Sequence, residues 1–398
     1  MMDKICLVNT TVVLETEVLQ RAFILLQNGE ISSIGQMDDC PELNDDLEWF
    51  DCTEKTVMPG MIDIHVHGAG GADFMDATPE AVDTIAETLA REGTTSYLAT
   101  TMTNPAIQIE DALRNIAAVI GQNDERSKPE MLGIHLEGPF INEIQKGAQP
   151  ASSIRTPDVQ TFDAWQRLSG NTIRIVTLAP ELDDSHLLLK KLQQQGVIAS
   201  MGHTDATYDE VNAAVENGAT HATHLFNGMR GLHHREPGVL GGVLMNPQVH
   251  VEVIPDGFHF HPDLLKMVLQ MKGIDHLLVI TDGMRAKGMP DGNYDLGGNT
   301  VTVSEGKCTL EGGTSLAGSI VTMNEARRNT AEWLQLSLPE QAKVTSLNQA
   351  KRLRIDDRKG SIEVGKDADI IVIDKLGDVA LTICKGRIAY MNDIAFSD

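Results

Sequence analysis

VMPGMIDIHVH, residues 57–67, is the stretch that decides the fold, because it is an apolar run that ends in two histidines. Other short apolar runs along the chain also stop at a side chain that can bind metal. These end residues are His65 and His67, Glu137 (in MLGIHLE), His203 (VIASMGH), His224 (ATHATH) and Asp282 (HLLVITD). In a (β/α)8 barrel all strands point the same way, and the active site lies at their C-terminal ends. Strand ends of this kind would meet at one mouth, and we infer a site for metal-assisted hydrolysis.

The middle of the chain alternates strand-like runs with helical stretches, as an α/β fold of the (β/α)8 TIM barrel type requires. Strands are predicted over 57–67, 95–102, 131–137, 173–179, 197–203, 219–224, 249–255 and 276–282. Helices are predicted over 78–91, 105–121, 158–168, 184–195, 207–217, 262–271, 319–334 and 339–353. We interpret glycine-rich residues 225–248 as a functional loop, and 286–313 as an insertion with short strands.

Both ends of the chain have strand patterns. Residues 5–8, 12–14, 23–27 and 30–34 are predicted strands, and Asn28-Gly29 is a hairpin signal between the last two. Residues 369–373, 381–384 and 387–391 have the same character. We therefore expect residues 1–56 and 354–398 to form one small sheet domain beside a catalytic barrel of residues 57–353.

Composition limits the classes of protein that fit. The 398 residues are 41% hydrophobic and 22% charged, which is ordinary for a globular enzyme. A formal net charge of −25, without a Lys/Arg cluster, argues against nucleic acid as a partner. The sequence contains neither an apolar run of membrane-spanning length nor a secretory signal, so we expect no membrane association. Five cysteines without a CxxC pair indicate reduced thiols and a cytoplasmic location.

The strand-end residues also have ordinary structural interpretations when each is taken alone. His65 and His67 share one face of a strand because side chains alternate with a period of two, but an HxH on a strand is often incidental. His203 and His224 could cap strand ends, and Glu137 could pair with a nearby cation. The shared position at the same end of different strands is what favours a metal centre.

Longer motifs make the pattern specific. The chain contains PGMIDIHVHGAGGADF (59–74), HLEGPFIN (135–142), KGAQ (146–149), GHTDA (202–206), THLFNGM (223–229), DGFHFHPD (256–263), TDGMRAKG (281–288) and GSIEVGKDADIIVID (360–374). With these motifs in this order, nearly the whole chain resembles the N-acetylglucosamine-6-phosphate deacetylases of the amidohydrolase superfamily. The resemblance implies a metal-bearing barrel with a small β-sandwich domain built from both chain ends. This agrees with the barrel and the sheet domain predicted from the pattern of strands and helices.

The resemblance also implies the metal ligands and the catalytic residue. Glu137, His203 and His224 would hold the principal metal ion. His65 and His67 match the ligands of a second metal in the members that have one, so we expect one or two divalent ions per subunit, Zn²⁺ or Fe²⁺. Asp282 would transfer the proton from water to the departing amine, and a direct contact with the metal is compatible with that role. Many relatives carry a bridging carboxylated lysine after the fourth strand; this chain has none there, and Glu137 would fill that charge role.

Substrate recognition follows from the same resemblance. In the family, the counterpart of Arg235 reaches across a homodimer interface and binds phosphate together with the counterpart of His259. Position 228 is Gly here and Ala in many members. Many members carry His where this chain has Gln149, so polarisation of the scissile carbonyl would fall more to the metal. The residues expected at the substrate are Gln149, Ala148, Asn227, Gly228, Arg235, His259, Leu316, Ala317, Gly318 and Ser319.

Three functions are compatible with these residues. The first is hydrolysis of the N-acetyl group of N-acetyl-D-glucosamine 6-phosphate to D-glucosamine 6-phosphate and acetate, in amino-sugar catabolism. The second is the same reaction on the galacto epimer, as in an N-acetylgalactosamine-6-phosphate deacetylase. The third is a non-catalytic amidohydrolase-fold scaffold, which should have lost ligands or the general base. Because the sequence keeps all of these residues, we expect an enzyme whose partner is a small phosphorylated amino sugar.

Overall fold

The computed structural model describes residues 4–44, 47–122, 127–183 and 186–396. The strands, numbered along the chain, are β1 (Lys4–Val13), β2 (Val18–Gln27), β3 (Glu30–Gln36), β4 (Glu48–Asp51), β5 (Thr56–Pro59), β6 (Met61–Val66), β7 (Gly68–Ala69), β8 (Ala72–Asp73), β9 (Thr94–Thr101), β10 (Glu130–Glu137), β11 (Ile173–Leu178), β12 (Ile198–Met201), β13 (Ala219–Ala222), β14 (His250–Val253), β15 (Leu277–Val279), β16 (Gly292–Leu296), β17 (Asn299–Ser304), β18 (Lys307–Leu310), β19 (Ile370–Ile373), β20 (Val379–Cys384) and β21 (Arg387–Met391). The α-helices are α1 (Pro79–Arg91), α2 (Ala106–Ile120), α3 (Val159–Leu168), α4 (Leu187–Gln195), α5 (Tyr208–Glu216), α6 (Gly238–Met245), α7 (Pro262–Lys272), α8 (Met323–Leu334), α9 (Leu338–Ala342) and α10 (Asn348–Leu353).

Eight parallel strands form the barrel, in the order β6-β9-β10-β11-β12-β13-β14-β15. Backbone hydrogen bonds connect the region after β15 to β6. The Asp282 amide donates to the His65 carbonyl at 2.8 Å, and the His67 amide donates to the Gly283 carbonyl at 2.8 Å. The predicted barrel is confirmed, and its closure places the last strand end directly beside the first.

The helices cover the barrel with their apolar faces, and α1 shows how the sequence produces this arrangement. The Thr78 hydroxyl caps the helix by accepting a hydrogen bond from the Ala81 amide. Val82, Ile85 and Leu89 recur at spacings of three and four residues, so they share one face, and all three are buried in the main core. Burying such side chains against the strands provides most of the stabilisation of the layer.

The two chain ends build a single eight-stranded sheet, in the order β21-β20-β19-β5-β1-β2-β3, with β4 beside β1. Strand β5 joins the ends, because it pairs with β1 and also with β19, where Val57 lies opposite Val372. Alternate residues of β1 pack into different apolar clusters: Ile5 and Leu7 into one, Cys6 and Val8 into another. The expected sheet domain at the chain ends is therefore confirmed.

The run predicted as one strand over 57–67 is divided at Gly60. The preceding residues belong to the chain-end sheet and the following ones to the barrel. The Thr95 side chain fills the space that a side chain at position 60 would need, and the Gly60 amide donates to the Asp369 carbonyl at 2.9 Å. Residues 57–59 thus lie in the chain-end sheet, and the boundaries of the two domains remain a prediction.

A buried ion-pair network ties the end of the chain to the barrel. Lys359 is 2% exposed, and its Nζ lies 2.9 Å from Glu130 Oε2 at the start of β10. The same ammonium group pairs with Asp367 at 3.0 Å and with Asp369. Charges buried at this depth are tolerated when they are paired. The network fixes the segment before β19 against the barrel.

Three other predictions have distinct outcomes. Residues 225–248 do not form a loop throughout, since α6 occupies their second half. The predicted insertion over 286–313 is confirmed as the three-stranded sheet β16-β17-β18. Of the helix predicted over 184–195, residues 184 and 185 lie outside the described residues, and α4 covers the rest from residue 187. Within the described ranges, no helix is both long and apolar enough to span a bilayer.

Candidate active site

Six side chains with metal-binding atoms meet at the C-terminal mouth of the barrel. They come from the ends of β6, β10, β12, β13 and β15, and all are buried. The six are His65, His67, Glu137, His203, His224 and Asp282. Their ligand atoms form two groups, each lying within 4.8 Å: Glu137 with His203 and His224, and His65 with His67 and Asp282. The structure brings together the residues predicted from the strand ends, and their role as ligands remains a prediction.

Glu137 borders both groups. Its Oε1 lies 3.3 Å from His203 Nε2 and 3.2 Å from His224 Nε2. Its Oε2 lies 3.3 Å from His67 Nε2. Asp282 Oδ1 lies 3.3 Å from the same nitrogen and 3.5 Å from His65 Nε2. One carboxylate therefore faces imidazole nitrogens of both groups.

The far nitrogens of three imidazoles are held by hydrogen-bond acceptors. The contacts are His65 Nδ1 to Glu252 Oε2 (3.0 Å), His203 Nδ1 to the Gln145 carbonyl (2.9 Å) and His224 Nδ1 to the Asn227 carbonyl (3.1 Å). Each acceptor requires a proton on Nδ1, so Nε2 is the nitrogen that each imidazole, when neutral, offers as a ligand on the side of Glu137. His65 Nε2 is buried without a hydrogen bond. Lone pairs and carboxylate oxygens that face one another in this way are the donor set of a divalent cation, so the residues fit a metal ion.

The electrostatics of the cluster favour a cation. Burial lowers the pKa of His67, but Asp282 and Glu137 outweigh burial and raise that pKa to about 10. Burial raises the pKa of Glu137, yet the surrounding imidazoles, His65 first, hold it well below its usual value. Buried imidazoles that attract protons this strongly report a negative potential, which attracts a metal cation equally.

The backbone is strained where it aims these side chains. His203 (φ 47°), His224 (φ 31°) and Asp282 (φ 49°) all adopt the left-handed region just beyond their strands. Residues with a Cβ rarely do so, at a cost of about 1–3 kcal/mol each. Such strain persists only where the surrounding fold determines it, and here it turns three side chains towards one point.

A cavity of about 250 Å³ opens beside the cluster. Met102 and Leu296, the latter at the end of β16, supply apolar wall. The insertion is fixed to the neighbouring loop because Asn299 Nδ2 donates to the Ala148 carbonyl at 2.8 Å. The cavity thus combines an apolar wall with buried polar groups, as sites for small ligands usually do.

Most of the residues predicted to contact substrate line this cavity. They are Ala148, Gln149, Asn227, Gly228, His259, Leu316, Ala317 and Gly318. Ser319 does not: it is buried, and its hydroxyl donates to the Thr281 carbonyl at 2.5 Å, beside the backbone of Asp282. Arg235 does not line the cavity either. It lies exposed, with Nη1 at 2.8 Å from His234 Nε2.

Two acidic residues near the site were missed by sequence reasoning. Glu252 is the acceptor for His65 Nδ1, and a glutamate between two valines of β14 was the available signal. Asp256 Oδ2 lies 2.7 Å from His259 Nδ1, which leaves Nε2 of that imidazole for a ligand. Burial raises the pKa of Asp256, but His259 outweighs burial and holds it below its usual value. Both carboxylates orient imidazoles that the sequence did identify.

Known proteins match this chain over nearly its whole length. The amidohydrolase family profile matches residues 56–389. The N-acetylglucosamine-6-phosphate deacetylase of Bacillus subtilis (strain 168) is 43% identical over 393 residues, 98% of each chain. The N-acetylgalactosamine-6-phosphate deacetylase of Escherichia coli O157:H7 is 38% identical over 338 residues, 84% of this chain and 88% of that one. A mutant N-acetyl-D-glucosamine-6-phosphate deacetylase from Mycobacterium smegmatis, solved in complex with N-acetyl-D-glucosamine-6-phosphate, has a TM-score of 0.89 at 29% identity, covering 98% of this chain and 100% of that one.

Proposed function

The chain belongs to the amidohydrolase family, and on that basis we propose that it hydrolyses the N-acetyl group of N-acetyl-D-glucosamine 6-phosphate. The products are D-glucosamine 6-phosphate and acetate. The observation that carries the proposal is that Glu137, with imidazoles on both sides, shares one cavity with Asn227 and His259. A metal centre and polar groups for a phosphorylated sugar thus border the same space. A cytoplasmic location accords with these soluble sugar substrates.

The amidohydrolases are metal-dependent, and we propose Glu137, His203 and His224 as the principal ligands. His65 and His67 would hold a second ion. Zn²⁺ and Fe²⁺ both suit a mixed set of imidazoles and carboxylates. When bound, the metal supplies Lewis-acid activation of the amide carbonyl and of a water molecule.

Asp282 moves the proton in this proposal. Its carboxylate borders the cavity and lies 3.3 Å from His67 Nε2. Burial raises its pKa, but His65 and His67 outweigh burial and keep the group ionised, so it is ready to accept a proton from the attacking water. The protonated Asp282 carboxyl group then delivers that proton to the departing amine. A carboxylate in this role typically contributes about 10²–10⁴-fold in rate.

The phosphate needs local positive charge because the chain carries a formal net charge of −25. His259 supplies Nε2 from within the chain, since Asp256 occupies Nδ1. We propose that Arg235 reaches the site of the neighbouring subunit in a homodimer. Its exposed position outside the cavity of its own chain is consistent with that arrangement.

Acetate release is the direct test of the function. Purified protein with analysed metal content is assayed on the 6-phosphates of N-acetylglucosamine and N-acetylgalactosamine, with unphosphorylated N-acetylglucosamine as the control. We expect the gluco phosphate to have the highest kcat/KM. A preference for the galacto phosphate would identify the alternative represented by the Escherichia coli relative. Metal-loaded protein without acetate release from any of them would refute both and favour a scaffold.

The shared site is tested by mixing two inactive variants. Arg235→Ala and Asp282→Asn proteins are combined under conditions where subunits exchange. A mixed dimer then regains one complete site, because one subunit supplies Asp282 and its partner subunit supplies Arg235. If activity does not recover although exchange is demonstrated, Arg235 does not act across an interface.

A further inference from the structure

Gln149 uses both ends of its side-chain amide inside the protein. Its Nε2 donates to Glu137 Oε2 at 2.6 Å, and its Oε1 accepts from the Thr103 amide at 2.8 Å. The residue is 3% exposed, so water does not compete for these bonds. The amide is therefore a rigid link between the loop after β9 and the carboxylate that borders both metal groups.

The loop that carries Gln149 also orients a second residue of the cluster. The Gln145 carbonyl accepts from His203 Nδ1 at 2.9 Å. The Gln145 side chain is itself anchored, because its Nε2 donates to Asp205 Oδ1 at 2.9 Å, and Asp205 pairs with Arg230 at 2.5 Å. One short segment thus holds two of the three members of the group formed by Glu137, His203 and His224.

A glutamate needs such a link because the torsion that turns its carboxylate is broad and weakly restrained. Without this link, the rotation of the Glu137 carboxylate would be restrained by its longer contacts with the imidazoles alone. The hydrogen bond to Oε2 fixes that rotation and leaves Oε1 facing His203 and His224, at 3.3 and 3.2 Å. Partners that orient metal ligands typically contribute about 10–100-fold in metal affinity.

We propose that Gln149 is a positioning residue for Glu137, and that it acts on the metal centre rather than on the carbonyl of the substrate. The inference rests on the proposed function only in taking the cluster to bind metal. It adds a role at the metal cluster to a residue that the sequence placed only at the substrate.

The test measures metal affinity in the absence of substrate. Protein stripped with a chelator is titrated with Zn²⁺ against a competing indicator. Gln149→Met keeps the length of the side chain and removes the amide. Gln149→Asn keeps the amide but is too short to reach Thr103 and Glu137 together. Gln166→Met is the matched control. Gln166, on α3, is also buried, and its side chain forms hydrogen bonds with Ser169 and Ile173, away from the metal cluster.

We expect Gln149→Met to bind Zn²⁺ about 10–100-fold more weakly than the parent, and Gln149→Asn to lie between them. Gln166→Met should bind like the parent even if its Tm falls. Zn²⁺ should also raise the Tm of both Gln149 variants by less than it raises the Tm of the parent. At saturating Zn²⁺ any change in the KM of the Gln149 variants should be smaller than the change in their Zn²⁺ affinity.

Zn²⁺ affinity equal to that of the parent, in either Gln149 variant, would overturn the proposal. Because Gln149→Asn is the milder change, it decides the matter if Gln149→Met does not fold. A raised KM with unchanged Zn²⁺ affinity would return Gln149 to a role at the substrate. Failure of the parent to release acetate from any sugar would refute the proposed function and leave the affinity comparison intact.

Discussion

Replacing Gly228 with alanine should disturb His203 directly. Gly228 has φ +58°, and a Cβ at this position would lie 2.9 Å from His203 Nδ1 and 3.3 Å from the Gln145 carbonyl oxygen. These are the two atoms of the hydrogen bond that fixes the His203 imidazole. A side chain at 228 therefore pushes on the contact that leaves Nε2 free for a metal.

The size of the effect follows from two contributions. Holding alanine in the left-handed region costs about 1–2 kcal/mol. Moving the His203 ring away from the Gln145 carbonyl forfeits a hydrogen bond of about 0.5–1.5 kcal/mol. We therefore expect the free energy of unfolding of Gly228→Ala to fall by about 1.5–3.5 kcal/mol. Zn²⁺ affinity should fall by about 10-fold or more, because the orientation of a ligand changes.

The assay is urea unfolding of metal-free protein together with Zn²⁺ titration. Gly231→Ala is the control in the same loop, since a Cβ there meets nothing within 4 Å. Gly231→Ala should unfold within about 0.5 kcal/mol of the parent, the usual range for a surface change. If Gly228→Ala matches Gly231→Ala in both measurements, the packing around His203 is looser than the structure indicates and the reasoning fails.

Three further predictions concern the cluster and the opposite end of the barrel. Asp282→Asn should retain metal and KM but lose about 10²–10⁴-fold in kcat, because the amide cannot accept a proton; a near-normal kcat with a raised KM would make Asp282 a binding residue. Glu137→Ala should lose the bound metal and the activity, with a smaller loss for His65→Ala, as checked by metal analysis; equal losses would indicate an obligatory metal pair. Burial and Arg352 lower the pKa of His250 to about 3, below the unfolded value of about 6.5. The unfolded chain then binds more protons at this residue, so stability is lost as the pH falls from about 6.5 towards 3. Urea unfolding of His250→Phe should show a shallower loss over that range, and an unchanged slope would exclude His250 as a source.

The placement of the site could be predicted because strand ends carry a clear signal. Five of the eight predicted strands stop at a His, Glu or Asp, and parallel strands bring such residues to one mouth. His67 and Asp282 therefore came together although they belong to strands far apart in sequence. Helix α1 could also be predicted, because the threonine cap and the spacing of Val82, Ile85 and Leu89 both indicate a helix.

What the sequence did not reveal depends on packing between distant segments. Helix α6 has the sequence GVLGGVLM, which has poor intrinsic helix propensity because of its glycines. The glycines serve close packing, as a Cβ at Gly242 would lie 2.7 Å from Val211 Cγ1 on α5. The division of the first predicted strand at Gly60 has the same origin, because the space there belongs to Thr95. The hydrogen bond from Gln149 to Glu137 could not be predicted either, because no local sequence pattern indicates which oxygen a side-chain amide will contact.

The pairing of β5 with β19 has a consequence for synthesis of the chain on the ribosome. Val57 emerges from the ribosome long before its partner Val372. Throughout that interval β5 exposes an unpaired strand edge directly before the first barrel strand, and such edges recruit other chains. The nascent protein therefore depends on protection of this edge until β19 has been made. A shortened version that stops before Ile370 would keep the exposed edge permanently and should accumulate as aggregate, even though every residue of the metal cluster is present.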